Sequence, residues 1–321
     1  MKRVVNILTL LVSIAALLAP TALAQMPEVE ISSFDKPSFG HSTASMLSAN
    51  KFDEKNGVKI KWLFKQSRAA NMDFAAGRDK ITFSSSLLAE ANRRLKGVKS
   101  VWLFNVVPLH GALLTEDPNL KTLKDLEGKT IAADTVTTNY AMFRYFVLKA
   151  GVDLNKVRIQ SSNAPGLGTL LLAKRVDASQ VWEPNLSHIL DKNPGRFRNI
   201  EYVDDWLRYN KRPMRGYLGV AAHEDFVAGN REIIQKVYRA FKDLEGWVPS
   251  HHNEAAAIVS GATGIAPAAI KAALGAKRLA YDVVSAGAIA EQIKDVFKAG
   301  LEIGYMKEMP DDGIIYTGLK E

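Results

Sequence analysis

Short runs rich in β-branched and aromatic residues alternate with segments of helical periodicity along most of the chain. This alternation is typical of proteins in which helices cover largely parallel sheets. The pattern therefore predicts an α/β fold. The predicted strands are VEIS from Val29, VKIKWLF from Val58, KITFS from Lys80, VWLFNVV from Val101, KTIAA from Lys129 and VRIQ from Val157.

Two segments between or after these strands have a clear helical pattern. The stretch from Asn139 to Lys149 places aromatic and branched residues at helical spacing and stops before Gly151, a typical C-terminal signal. The stretch from Arg231 to Trp247 carries an apolar stripe of five residues, which predicts an amphipathic helix.

The length of 321 residues is sufficient for two domains. The run SVWLFNVVPLHGALLTEDPNL indicates two strands that meet at 108–111, where the chain crosses between lobes, and RPMRGYLGVAA at 212–222 indicates a second crossing. We therefore expect residues 25–108 and 220–321 to form lobe one, and residues 109–219 to form an inserted lobe two.

The N-terminus has the organisation of a secretory signal peptide. Lys2 and Arg3 precede an apolar run, and Ala22-Leu23-Ala24 supplies a small-x-small cleavage pattern. The apolar run, 4–18, is shorter than the roughly 20 residues that span a bilayer. We predict a signal peptide over 1–24 and a soluble, periplasmic mature protein.

The sequence contains no cysteine. This excludes disulfides, a lipid-bearing cysteine after the cleavage site and any cysteine nucleophile, so we expect a protein without a lipid anchor. The formal charge is +8, but the basic residues are scattered among acidic ones, as in KTLKDLEGK. Without a basic stripe, nucleic acid is not an expected partner.

The segment from Leu123 to Leu190 resembles a known family. It contains LKDLEGKTIAADTVTTNYAMFRYFVLKAGVDLNKVRI and then LLLAKRVDASQVWEPNLS. These motifs are similar to those of the bacterial substrate-binding proteins of nitrate, taurine and alkanesulfonate importers, a family that also includes thiamin-pyrimidine binding proteins. Looser similarity extends over most of the mature chain. One departure is Ser84-Ser85-Ser86-Leu87, where many relatives have a Gly-Ser-x-Pro loop.

The resemblance implies a type II periplasmic binding protein-like fold, with two α/β lobes joined by a two-strand hinge. It implies the binding component of an ABC importer, a monomer that captures a small organic anion, either a sulfonate or a carboxylate, and delivers it to a permease in the inner membrane. Neither cofactor, metal nor catalysis is expected. Three alternatives stay open: binding of an uncharged heterocycle such as a pyrimidine, a sensory role, and an enzyme on the same fold.

In open α/β sheets the ligand lies beyond the carboxyl ends of the strands. Loops after three of the predicted strands, VEIS, KITFS and KTIAA, and after a further short strand, SQV at 179–181, therefore supply the candidate ligand-binding residues, although helix capping and core packing also account for individual members. The candidates are Phe34, Asp35, His41, Ser84, Ser85, Ser86, Thr135, Thr137, Thr138, Asn139, Tyr140, Trp182 and Glu183.

The loop before the helix predicted to start near Tyr140 is the sharpest candidate. A helix N-terminus carries partial positive charge and unpaired amides, and this one is preceded by Thr137, Thr138 and Asn139. We expect Thr137 and Thr138, together with the backbone N–H groups that open the helix, to hold the anionic end of a ligand. Ordinary N-capping by one threonine is the alternative.

Two other motifs carry little weight. Gly166-Leu167-Gly168 is too short for a dinucleotide fingerprint. His251-His252 with Glu254 does not suggest a metal site, because adjacent residues do not share a helix face, and we expect a solvated loop after Pro249.

Overall fold

The computed structural model describes residues 26–321. The predicted signal peptide, 1–24, thus lies outside the described residues. The strands are β1 (Glu28–Phe34), β2 (Lys59–Lys65), β3 (Ile81–Ser86), β4 (Ser100–Val107), β5 (Ala112–Thr115), β6 (Thr130–Ala133), β7 (Arg158–Ser161), β8 (Ala178–Val181), β9 (Arg198–Glu201), β10 (Leu218–His223) and β11 (Val284–Ser285).

The strands form two sheets, which define two α/β lobes. The sheet of lobe one has the order β11-β4-β10-β3-β1-β2, and that of lobe two has the order β7-β6-β8-β5-β9. In lobe one, β1 is parallel to β2 and β3, whereas β10 runs antiparallel to β3 and β4. In lobe two, β6 is parallel to β7 and β8, whereas β5 is antiparallel to β8 and β9.

Helices and short 3₁₀ turns connect the strands. The α-helices are α1 (Phe39–Ala49), α2 (Phe52–Lys55), α3 (Ser67–Ala75), α4 (Leu87–Leu95), α5 (Thr138–Lys149), α6 (Ala164–Leu172), α7 (Asn185–Lys192), α8 (Asp205–Asn210), α9 (Glu224–Gly229), α10 (Arg231–Trp247), α11 (His252–Thr263), α12 (Pro267–Gly275) and α13 (Ala290–Glu302). None of the helices described is long and apolar enough to span a membrane.

The α/β fold and the six predicted strands are confirmed, with boundaries that differ by a few residues. The helix predicted over Arg231 to Trp247 has these bounds. The helix expected near Tyr140 begins earlier, at Thr138, because Thr137 already supplies its N-cap. The loop expected after Pro249 is wrong: 248–250 forms a 3₁₀ turn and α11 follows at once.

Buried apolar side chains form three clusters in the described chain. One lies beneath the sheet of lobe one against α10, and a smaller one lies in lobe two between β8 and its helices α6 and α7. The third is shared between the lobes: it includes Leu88 of α4, Phe143 and Phe146 of α5, and Ile293 and Phe297 of α13. The lobes are therefore joined by a common core beside the crossings.

Helix α13 packs on both lobes, because it contacts α4 of lobe one and α5 of lobe two. Polar contacts flank its apolar face: the Lys149 ammonium lies 2.7 Å from the carboxylate of Glu302, and the Arg212 guanidinium lies 2.9 Å from that of Asp295. This helix fixes the lobes to each other on the hinge side of the molecule.

The core of lobe one generates a stability prediction. Phe241 is fully buried, with its ring centroid 5.1 Å from Phe83 and 5.3 Å from Phe104. Phe241→Ala removes this ring contact and leaves a cavity, so we expect a loss of about 3–5 kcal/mol in the free energy of unfolding. Urea denaturation measures the loss. As a control, Met72→Ala in the same lobe alters a side chain that is 57% exposed and should cost less than about 1 kcal/mol. Equal losses would contradict this core assignment.

Candidate functional site

The carboxyl-end edges of the two sheets face each other. The chain leaves lobe one at Val107 and enters lobe two at Ala112, which pairs with Val181 at the carboxyl end of β8. On its return, Leu218 pairs with Ser86 and Val107 at the carboxyl-end edge of lobe one. The crossing between Val107 and Ala112 is only four residues long. The candidate site is the space between these edges.

The N-terminus of α5 opens into this region. The Thr137 hydroxyl accepts a hydrogen bond from the backbone N–H of Tyr140, at 3.2 Å, and donates one to the carbonyl of Asp134, at 2.8 Å. The backbone N–H groups of Thr138 and Asn139 have no partner among the described residues. The first turn contains no acidic residue. This end of α5 therefore offers two free donors and the positive end of the helix dipole.

A group of uncharged polar side chains adjoins this helix end. Asn139 is 6% exposed, and its Oδ1 has no hydrogen-bond partner. Gln180 of β8 is fully buried; its Nε2 donates to the Tyr202 hydroxyl at 3.3 Å, while its Oε1 has no partner. A Cβ at Gly111 would lie 2.5 Å from the Tyr202 oxygen and 3.4 Å from Asn139 Oδ1, so only glycine fits there.

His110 precedes Gly111 in the first crossing. Its Nε2 is buried without a partner. Burial lowers the pKa of His110, and the positive charge of Arg278 lowers it further. The negative charges of Glu183 and Asp204 act in the opposite direction. The imidazole is therefore neutral near pH 7. We call His110, Asn139 and Gln180 the polar cluster.

Lobe one contributes the first strand and helix to this region. Ser33 Oγ, near the end of β1, and His41 Nδ1, in the first turn of α1, are buried without partners. The His41 ring lies 4.2 Å from the ring of Phe64, and burial lowers the pKa of His41. Phe39 packs edge-on against Tyr281, 5.4 Å between ring centroids. These side chains form a partly aromatic wall.

Several of the residues predicted from the sequence have protein partners instead. Ser85 is bonded to Glu90 and Arg93, and Ser86 caps α4 by accepting from the Ala89 N–H at 3.3 Å. The hydroxyls of Ser85 and Ser86 thus serve lobe one itself. Ser84 lies in β3.

The other predicted residues differ in their surroundings. The Asp35 carboxylate accepts from the N–H of Lys36 at 2.7 Å, and Thr135 bonds Ser161 at 2.8 Å. Phe34, Tyr140 and Trp182 are half-buried, and Trp182 packs against the smaller cluster of lobe two. Thr138 lies against the phenol of Tyr217 in the return crossing.

Glu183 takes part in a buried ion pair between the lobes. Its side chain is 2% exposed and accepts from Arg278 Nε at 2.8 Å and from the Ser187 hydroxyl at 2.8 Å. Arg278 also donates to Ser187 Oγ, at 3.0 Å. Since Arg278 follows α12 of lobe one and Glu183 precedes α7 of lobe two, this contact holds the lobes together. We call it the Glu183–Arg278 latch.

Sequence reasoning missed His110, Gln180, Tyr202 and Arg278. A lone glutamine inside the short buried strand ASQV was the one available signal for Gln180. His251, considered above as a weak metal candidate, instead bonds the carbonyl of Trp247 at 2.8 Å and stacks on its ring.

Two α/β lobes whose strand ends face each other across two crossings define a type II periplasmic binding protein-like fold. A family model described as NMT1/THI5 like matches residues 50–255, and the chain belongs to this family. The family resemblance inferred from the sequence is thereby confirmed. No curated protein sequence matches the chain.

Solved structures share the fold at low sequence identity. The periplasmic aliphatic sulphonate binding protein SsuA from Escherichia coli is 18% identical with a TM-score of 0.74, over 90% of this chain and 92% of that one. The alkanesulfonate-binding protein SsuA from Xanthomonas axonopodis pv. citri, bound to MOPS, is 16% identical with a TM-score of 0.69, over 91% and 98%. A cysteine-to-serine mutant of DszB in complex with biphenyl-2-sulfinic acid is 12% identical with a TM-score of 0.64, over 91% and 96%.

The latch generates a prediction about lobe closure. Arg278→Ala leaves the Glu183 carboxylate without its cation, and removing one partner of a buried pair typically costs about 3–5 kcal/mol. Separation of the lobes relieves this cost by hydrating the carboxylate. We expect small-angle scattering of the variant without added ligand to give a larger radius of gyration than wild type. Lys80→Ala, which breaks an exposed pair within lobe one, should leave it unchanged. An unchanged radius for Arg278→Ala would contradict the latch.

Two half-buried histidines, His110 and His41, generate a prediction about acid stability. In the unfolded chain, histidine binds a proton near pH 6.5. Because burial lowers the pKa of His110 and His41 in the folded protein, the unfolded state binds more protons below that pH. The free energy of unfolding should therefore fall as the pH is lowered from about 7 to about 5.

Chemical denaturation at several pH values measures this dependence. His110→Phe removes one of the two groups, so its slope between about pH 7 and about pH 5 should be shallower than that of wild type. His188→Phe, at an exposed position of α7, should keep the wild-type slope. A His110→Phe slope identical to wild type would contradict the role assigned to His110.

Proposed function

We propose that the chain is the exported, periplasmic substrate-binding component of an ABC importer and that it captures a small organic anion, a sulfonate or a carboxylate, between its lobes. Family membership and the sulfonate-binding names of two structural neighbours support this proposal. In this proposal residues 1–24 are the signal peptide, 25–108 with 220–321 form lobe one, and 109–219 form lobe two. The mature protein is a monomer without a lipid anchor, and its partner is an inner-membrane permease.

The observation that carries the anion proposal is the end of α5. Its first turn has two backbone N–H donors without partners. The Asn139 side chain beside them is 6% exposed, and its unpartnered Oδ1 is an acceptor, which suits a donor group of the same ligand and not the anionic oxygen itself. Buried polar groups in native proteins are nearly always hydrogen-bonded. An oxyanion bound there accepts from the amides and is stabilised by the helix dipole.

An uncharged heterocycle such as a pyrimidine is the second candidate, and specific contacts favour it. Asn139, Gln180 and a neutral His110 are uncharged groups with free hydrogen-bonding atoms. The half-buried rings of Phe34 and Trp182 supply apolar surface. Both candidates describe binding without reaction, and the sequence contains no cysteine to act as a nucleophile. A sensory role uses the same binding step with a receptor in place of the permease.

Calorimetric titration with ethanesulfonate, propionate and cytosine tests the proposal. Asn139→Asp places a negative charge at the end of α5. A charged hydrogen bond contributes about 1.5–3 kcal/mol, so we expect this variant to bind ethanesulfonate or propionate at least about tenfold more weakly than wild type.

The matched control is Asn253→Asp, which makes the same charge change at an exposed residue of α11 and should keep wild-type affinity. Equal affinities of the two variants for the anion would contradict binding at α5. If cytosine bound to wild type and neither anion did, the heterocycle would replace the anion as the ligand.

A further inference from the structure

The three unpartnered atoms of the polar cluster lie at one edge of one sheet. Gln180 is the second-last residue of β8, and Asn139 lies in the first turn of α5, after β6. His110 lies just before β5, whose first residue pairs with the last residue of β8. Gly111 and Tyr202 connect them, because the position of a Cβ on Gly111 falls within 3.4 Å of both the Tyr202 oxygen and Asn139 Oδ1. Asn139 and Gln180 thus lie beside the same tyrosine, Tyr202, and His110 is the neighbour of Gly111 in the chain.

Leaving these atoms without hydrogen bonds lowers the free energy of unfolding. A buried donor or acceptor without a partner costs about 1–3 kcal/mol, and three such atoms at one edge exceed what packing alone explains. Ser179, the neighbour of Gln180 in β8, faces the other way and has a partner, because its hydroxyl donates to the carbonyl of Leu167 at 3.1 Å. The polar cluster is therefore shaped for a molecule that bonds to it.

The polar cluster is also uncharged. Its members are two amides and an imidazole that burial keeps neutral, and Gln180 is held by the neutral phenol of Tyr202. The carboxylate of Glu183, which lies near His110, is already paired with Arg278. The members of the polar cluster themselves therefore carry no countercharge for an ammonium or for a second anion. A hydroxyl can donate to one of the two amide oxygens and can accept from or donate to the imidazole, according to its tautomer.

Asn139 links the polar cluster to the end of α5. Its backbone N–H is one of the two free amides, and its side chain belongs to the polar cluster. A ligand that reaches both must carry its two polar groups only a few bonds apart. We propose that His110, Asn139 and Gln180 form a specificity subsite for an uncharged hydrogen-bonding group, such as a hydroxyl or a primary amide, on the same small ligand whose anionic group binds at α5.

This inference rests on the proposed anion binding, so the test separates the two. The probes are ethanesulfonate, its hydroxylated analogue isethionate, and taurine, which carries an ammonium at the same carbon. Wild type should bind isethionate about tenfold more tightly than ethanesulfonate, because a site built to hydrogen-bond a hydroxyl rejects the analogue that lacks it. Taurine should bind more weakly than isethionate.

The variants are Gln180→Leu and His110→Phe, at two separate elements, so that a failure of one to fold leaves the other. Each should reduce the ratio of isethionate to ethanesulfonate affinity towards one. Gln235→Leu, on α10 of lobe one and away from the subsite, should keep the wild-type ratio.

Equal affinity of wild type for ethanesulfonate and isethionate would overturn the subsite and leave anion binding intact. A wild-type ratio retained in the folded Gln180→Leu and His110→Phe variants would overturn the assignment to these residues. If none of the three sulfonates bound, the result would overturn the sulfonate form of the proposed function and the subsite with it. Tighter binding of taurine than of isethionate would show a charged subsite and contradict the inference.

Discussion

The packing of α13 on both lobes is the interaction on which the rest of the arrangement depends. Its apolar face, with Ile293 and Phe297, joins α4 and α5 in one core. Because the crossing at 108–111 is short, this shared core holds the carboxyl-end edges of the two sheets opposite each other. That packing, together with the Glu183–Arg278 latch, keeps the free amides of α5 and the polar cluster on the side of lobe two that faces lobe one. The packing that joins the lobes at the hinge therefore also positions the candidate site.

The fold was predictable from local pattern. Alternating strands and helices have distinct periodicities, so β1 to β4, β6, β7, α5 and α10 could be located from the sequence. Helix α11, which follows Pro249, could not be located from the sequence, because it has no side-chain N-cap and only a weak apolar stripe. The bridging position of α13 also escaped prediction, since an amphipathic pattern shows that a face is buried but not which lobe buries it.

The site was predictable only in part, for a physical reason. Strand-end loops can be recognised in a sequence, which led to Thr137, Thr138 and Asn139. Whether a hydroxyl there is free depends on its partners: Ser86 and Thr137 cap their own helices, and Ser85 bonds Glu90. Likewise, the sequence predicts Glu183 as a ligand contact, whereas in the structure its carboxylate pairs with Arg278, which lies 95 residues later in the chain. Long-range pairs of this kind leave no local sequence signal.

The Glu183–Arg278 latch lies at the same interface as the candidate site but consists of protein groups alone. Under the proposed function, in which the lobes close on a ligand, it contributes the same free energy to the closed form whichever molecule is enclosed. Such a contact lengthens the residence time of every bound molecule by a similar factor, while the choice between molecules stays with the groups that touch them. Substitutions at the latch could thus change how long cargo is retained without changing which cargo is selected, so retention and selectivity can evolve separately.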